Sequence, residues 1–334
     1  MGVPVPRLHD AMTGPLAQVG LTALMARGAG RPEVVVGVVD GLVAVDHPGL
    51  AGGRLRLLLD GGRCDRTDAD PSCHHGTFVT GLLAAHRTAE PPGICPGCTV
   101  LVRPVFGVGR SAGGGTARVA PAAWPEDLAA AVVETVDAGA RVLNLSVAPE
   151  RPSSAGHREL EWALDHAADR GVITVVAAGN QGTIGTSVLT RHPWTVPVVA
   201  YDRQGRPMSL SNLGGSIGGH GLGAPGEAVA GLGIGGRPLA LTGTSAAVPF
   251  VAGTVALLLS EFPSAPPAEV RAAVLRTGTG SVRRRTVVPP LLDARAAYST
   301  LHAAYGAPHR GAVRGVPTPG QPEWESSSDA RPGR

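Results

Sequence analysis

The chain has 334 residues, 43% of them apolar, with a formal net charge of +3 and 29 basic residues that are all arginine. That length allows one large domain with a sizeable core, and so small and scattered a charge excludes nucleic acid as the electrostatic partner; Arg283-Arg284-Arg285, the one basic run, reads as a solvated turn. No stretch reaches the roughly 18 apolar residues of a membrane span, and residues 1–30 lack the apolar core and cleavage site of an export signal, so the expectation is a cytoplasmic protein with no membrane partner.

Residues 1–30 read as a lead-in with one short helix around Leu16–Arg27. Val34–Val39 is a β-branched run broken only by Gly37, the mark of a strand buried on both faces of a parallel sheet. It ends in Asp40-Gly41, and a carboxylate at the C-terminal end of such a strand stands where α/β sheets place their sites. His47, held in Asp46-His47-Pro48, reads as structural. Leu55–Leu59 is a second strand, and a polar segment leads to His74-His75-Gly76-Thr77, which opens a helix running to Ala85. Cys95-Pro96-Gly97-Cys98 is a C-x-x-C, but Cys64-x₈-Cys73 is not zinc-finger spacing, so reduced thiols or facultative disulfides are expected, and no metal.

Thr99–Phe106 is a strand and Gly107–Trp124 a Gly-rich loop on the rim of a cleft. Pro125–Ala138 is a helix opened by Pro125 and the acids Glu126 and Asp127. Strands over Val142–Val147, Val172–Ala177 and Val196–Ala200 alternate with a helix over Glu159–Arg170, and Met208–Gly226 reads as a loop carrying Ser211-Asn212. Helices over Pro267–Arg276 and Asp293–Tyr305 close a domain spanning 31–305. Residues 306–334 are rich in Pro, Gly and Ser without apolar periodicity and read as a disordered tail.

Between these lies Gly243-Thr244-Ser245, followed by an almost wholly small or aliphatic run from Ala246 to Ser260. A serine where a tight turn meets a buried helix is held rigidly at the helix's positive end. Pro249 falls in about the first turn, where a missing N–H does little harm. A nucleophilic serine needs a base and a group to orient it. His75 and Asp40 supply both, in the chain order Asp, His, Ser.

That order and its flanking residues resemble the subtilisin-like serine proteases, over residues about 15 to 305. The motifs are Val38-Val39-Asp40, His75-Gly76-Thr77-x-Val79-x-Gly81, Ala177-Ala178-Gly179-Asn180 and the G-T-S-x-x-x-P stretch at Ser245. The resemblance implies an α/β, three-layer fold with a mostly parallel sheet flanked by helices. It implies a catalytic Asp40, His75 and Ser245, and an oxyanion hole from the Asn180 amide and the Ser245 N–H. Ser146-Val147-Ala148 and Gly179 would pair with the backbone of a peptide substrate. The family usually has Gly where Ala148 stands and Ser or Thr where Gly41 stands, which raises the question of what supports Asp40. No cofactor is implied; many members bind calcium, but no acidic loop here matches a ligand pattern.

Asp40-Gly41, Asp46-His47-Pro48 and Cys73-His74-His75-Gly76-Thr77 are further similar to the leader-removing proteases of cyanobactin-type pathways, which act on a ribosomally made precursor peptide in the cytoplasm. The absence of a long folding propeptide before Asp40 agrees with that expectation. A general degradative intracellular subtilase shares the same triad. A pseudoprotease that binds peptide without cutting it is the reading from another class, opposed by the presence of all four catalytic positions.

Overall fold

The structure, a computed structural model, describes residues 14–59, 64, 70–106, 123–147, 157–236, 238–276 and 286–306. The expected rim loop (but for its last residues), Ala148 and the expected tail beyond Gly306 lie outside them.

Seven strands form one parallel sheet in the order β2-β3-β1-β4-β5-β6-β7. They are β1 (Val35–Asp40), β2 (Arg54–Leu57), β3 (Thr99–Pro104), β4 (Val142–Leu145), β5 (Ile173–Ala177), β6 (Val196–Tyr201) and β7 (Leu222–Pro225). The strand period of two sorts each strand's side chains between two cores. Val36 and Val38 face one core, shared with helix α2 (Pro71–Ala84) and the long α7 (Thr244–Glu261); Val39 faces the other, shared with α3 (Pro125–Asp137) and α4 (Arg158–Asp169). Helices thus cover both faces, the expected three-layer α/β arrangement.

The N-terminal helix is interrupted: residues 14–18 and α1 (Leu21–Met25) flank Gly20, whose φ of 70° breaks the ladder. Helix α2 begins earlier than expected, with Asp70 accepting from the Ser72 N–H at 2.8 Å, so His75 stands in its second turn. The segment 208–226 is not a plain loop. It holds α6 (Gly215–His220) and β7, whose Leu222 pairs with Val198 of β6. Short α5 (Val188–Arg191) and the antiparallel pair β8 (Val229–Leu232) and β9 (Pro238–Leu241) were not anticipated either. Helices α8 (Pro267–Leu275) and α9 (Ala294–Tyr305) complete the fold.

Helix α7 has the length and hydropathy to cross a membrane, contrary to the sequence expectation, yet 89% of it is buried within the fold. Cys64 and Cys73 form a disulfide, whereas Cys95 and Cys98 are buried thiols. A hydrogen bond between those two thiols holds Cys95 above its ordinary pKa and Cys98 below it.

Candidate active site

Asp40 ends β1, fully buried. Its Oδ1 accepts from His75 Nδ1 at 2.6 Å and from the Gly41 N–H at 2.6 Å. The carboxylate therefore fixes the tautomer, leaving Nε2 of His75 as the free base. Burial pushes the imidazole pKa down, but the charge of Asp40 and its hydrogen bond more than offset this, and the value stands above the ordinary 6.5. Phe106 meets the imidazole edge-on, ring centroids 6.1 Å apart.

The question of Gly41 has a steric answer. A Cβ there would lie 2.2 Å from the Ser72 carbonyl oxygen of α2 and 2.8 Å from Phe106 Cε2. The helix carrying His75 comes too close to β1 for any side chain at position 41. The support that Oδ1 receives comes from the Gly41 main chain, while Oδ2 has no hydrogen-bond partner among the described residues. The adjacent His74 is half-buried with its Nδ1 enclosed, not free on the surface. His47 caps the turn at Pro48–Leu50 by accepting from the Gly49 N–H at 2.9 Å, as a structural residue should.

Ser245 is the second residue of α7, after Gly243 with φ 137°. Its hydroxyl donates to the Ser146 carbonyl oxygen at 2.9 Å, and the Ser146 hydroxyl donates to the Ser245 carbonyl at 3.3 Å. Asn144 supports this exchange, its Nδ2 donating to Ser146 Oγ at 2.8 Å. The resting serine proton therefore points at the end of β4 and not at His75. Because α7 begins at Thr244, Pro249 sits in its second turn and not the first. The N–H it lacks is the one that Ser245 C=O would accept in an α-helix, and the Ser146 hydroxyl takes that place.

Asn180 follows β5 and is exposed. Its Oδ1 accepts from the Thr244 N–H at 2.9 Å and from the Thr244 hydroxyl at 3.0 Å. A backbone N–H can only donate, so the atom facing Thr244 is the oxygen, and Nδ2 makes no hydrogen bond among the described residues. The Ser245 N–H, among the first unpaired donors of α7, emerges at the same helix end. Gly179, φ 103°, donates to Thr244 Oγ1 at 3.3 Å, and a Cβ there would strike Asn212 Nδ2 at 2.3 Å.

Three residues to which the sequence reading gave no part in the site hold this loop. Thr244 orients Asn180. Asn212 accepts from the Gln181 and Thr183 N–H groups and donates to the Ala178 carbonyl. Asn144 orients Ser146. Ser211-Asn212 stood out only as a dipeptide in a loop, and no local signal reveals its reach to β5. Val147 turns its side chain into the core beneath α3 and α4.

A parallel α/β sheet with an Asp–His pair and a helix-start serine converging at its C-terminal edge is the layout of a serine peptidase. The chain belongs to the Subtilase family, whose model matches residues 31–307. It is 31% identical over 216 residues to the thermostable alkaline protease of Halalkalibacterium halodurans, covering 63% of this chain and 55% of that protein. Subtilisin DY of Bacillus licheniformis is 30% identical over 265 residues, covering 77% of this chain and 87% of the relative. The chain spans little more than half the length of the alkaline protease. Among solved structures, the prenylagaramide maturation protease PagA is similar with a TM-score of 0.72 and 29% identity, covering 84% of this chain and 98% of that one. The protease domain of PatA, solved as a serine-to-alanine mutant, is similar with a TM-score of 0.72 and 30% identity, covering 82% and 97%.

Proposed function

We propose that the protein is a serine endopeptidase that matures a ribosomally made precursor peptide by removing its leader. The observation that carries the peptidase reading is the 2.6 Å Asp40–His75 bond, set at the same sheet edge as a Ser245 whose helix end is tied to the Asn180 amide. Ser245 Oγ leaves the Ser146 carbonyl, gives its proton to His75 Nε2 and attacks the scissile carbonyl carbon. Asp40 stabilises the imidazolium so formed. The oxyanion lies between Asn180 Nδ2 and the Ser245 N–H. His75 then protonates the leaving amine, and a water, deprotonated by His75, releases the acyl product. This chemistry needs no metal or other cofactor.

The substrate backbone pairs with Ser146-Val147, and with Ala148 beyond, by strand addition. The maturation reading draws on PagA and PatA, each similar across more than four-fifths of this chain. A second reading, a broad degradative protease, is favoured by the similarity to subtilisin DY. A cytoplasmic setting belongs to the maturation reading. Thiols are kept reduced there, so thiol titration of freshly lysed protein, reading Cys64 and Cys73 as reduced or bonded, tests it. The function is tested by fluorophosphonate labelling, lost in Ser245→Ala, and by mass spectrometry of products from casein and from candidate precursor peptides. Cleavage at one leader junction with casein intact supports maturation, and no labelling of folded protein refutes the peptidase reading.

A further inference from the structure

We propose that the groove between α3 and α4 is a second docking site for the substrate, taking a basic stretch that lies N-terminal to the cut. It rests on the peptidase reading above. The groove holds about 670 Å³ over a floor of Ala129, Ala130 and Val133. Trp162 lines it and is 59% exposed, its ring stacked on His166 with centroids 5.4 Å apart. Trp124, 63% exposed, precedes α3 at its N-terminal end. Exposed indoles beside an apolar groove mark a surface that takes a partner.

The charges say which partner. Glu126, Glu134 and Glu159 line the groove against a single guanidinium, Arg158. Arg103 occupies Glu134 at 2.6 Å, while Glu126 and Glu159 have no ion pair among the described residues. Both stand in the first turns of their helices, where the macrodipole accounts for a carboxylate. The dipole does not account for an exposed tryptophan in the same groove. An exposed ring sharing a groove with two carboxylates that make no ion pair among the described residues suits an arginine or lysine side chain, with its cation over the ring and its N–H groups on the carboxylates.

The topology says which part of the substrate. Helices α3 and α4 follow β3 and β4, each leading into a further parallel strand, so their N-terminal turns lie toward the edge where the strands end. That edge carries Asp40, Ser146 and Asn180. The chain leaves β4 through Ser146-Val147 on its way to α4. A peptide paired with that segment through the residues before its cut continues toward the groove.

The test uses one cleavable peptide in three forms: short, extended N-terminally with arginines, and extended with glutamines in their place. The arginine form is expected to exceed the short form in kcat/KM by about tenfold, the glutamine form by little. In Trp162→Ala, and in Glu126→Gln with Glu159→Gln, the ratio of arginine form to short form falls to about two; all three side chains are exposed, so the core is untouched. Equal gains from both extensions, or a ratio that survives the substitutions, overturn the proposal. Anisotropy of the labelled arginine extension alone, on Ser245→Ala protein, reads the groove without catalysis. Binding there that Trp162→Ala weakens supports the groove even if no peptide is cut, an outcome that refutes only the peptidase reading; no binding refutes the groove.

Discussion

Replacing Thr244 by valine removes one oxygen from a fully buried side chain and almost nothing of its shape. That oxygen donates to Asn180 Oδ1 at 3.0 Å and accepts from the Gly179 N–H at 3.3 Å. Losing the first bond costs about 1 kcal/mol, and leaving the buried Gly179 N–H unpaired costs about 1–2 kcal/mol more, so the variant should be less stable by about 2–3 kcal/mol. Its effect on catalysis has an upper bound. Deleting a side-chain oxyanion donor costs roughly 10²–10³ in kcat, a figure established for subtilisin itself. In Thr244→Val the backbone N–H still holds Asn180 Oδ1 at 2.9 Å. The amide keeps one of two tethers, and the loss in kcat should be nearer tenfold, with KM little changed because Thr244 lies behind the amide. Urea melts and steady-state kinetics on one peptide substrate read both numbers. A variant that loses the stability yet keeps wild-type kcat refutes the claim that Thr244 orients the oxyanion donor.

Asn180→Asp keeps the acceptor for Thr244 and removes the Nδ2 N–H pair. It should lower kcat by roughly 10²–10³ with a small change in Tm, and a loss below tenfold argues against an oxyanion role. His75 must be neutral to act as base, so kcat/KM should rise with pH along a limb above 6.5. Asp40→Asn should move that limb to lower pH and cut kcat by about 10⁴; an unmoved limb contradicts the ion pair. The same raised pKa has the opposite sign for folding. Its stabilisation is complete below 6.5 and is lost as pH rises through the folded-state value, so Tm should fall across the window in which activity appears. Gly41→Ser, which restores the residue usual in the family, should destabilise the fold by at least about 1–3 kcal/mol, since its Cβ would lie 2.2 Å from the Ser72 carbonyl. An unchanged melting curve shows that α2 yields there at no cost.

The parts of the site that could be read in advance are those whose physics is local. A β-branched run ending in Asp40, a buried run ending before Asn180 and a turn opening a buried helix at Ser245 each declare a strand or helix end. Parallel-sheet topology then gathers such ends along one edge. What escaped is held by distant partners. Leu222-Gly223-Ala224-Pro225 carries little apolar bulk and is a strand because β6 offers it an edge, through Val198 and Leu222. Asn212 acts on residues 29 to 34 positions away and Thr244 on Asn180, 64 away. No periodicity records such bonds.

Pro249 shows how local inference can find a motif and still misassign its purpose. In a first turn a proline is merely tolerated, but in the second turn of α7 it removes the N–H that would bond Ser245 C=O. That carbonyl instead receives the Ser146 hydroxyl, and Ser146 C=O receives the Ser245 hydroxyl in return. The proline thus lets the end of β4 grip the nucleophile's own peptide unit, with Asn144 holding Ser146 from behind. On the strand pairing proposed above, the Ser146 carbonyl would also accept from the substrate backbone. A substrate N–H arriving there would weaken the resting bond and free the serine proton for His75 Nε2. Substrate pairing and nucleophile activation would then share one oxygen atom, which would favour peptides engaged along their backbone over small molecules that reach Ser245 without it.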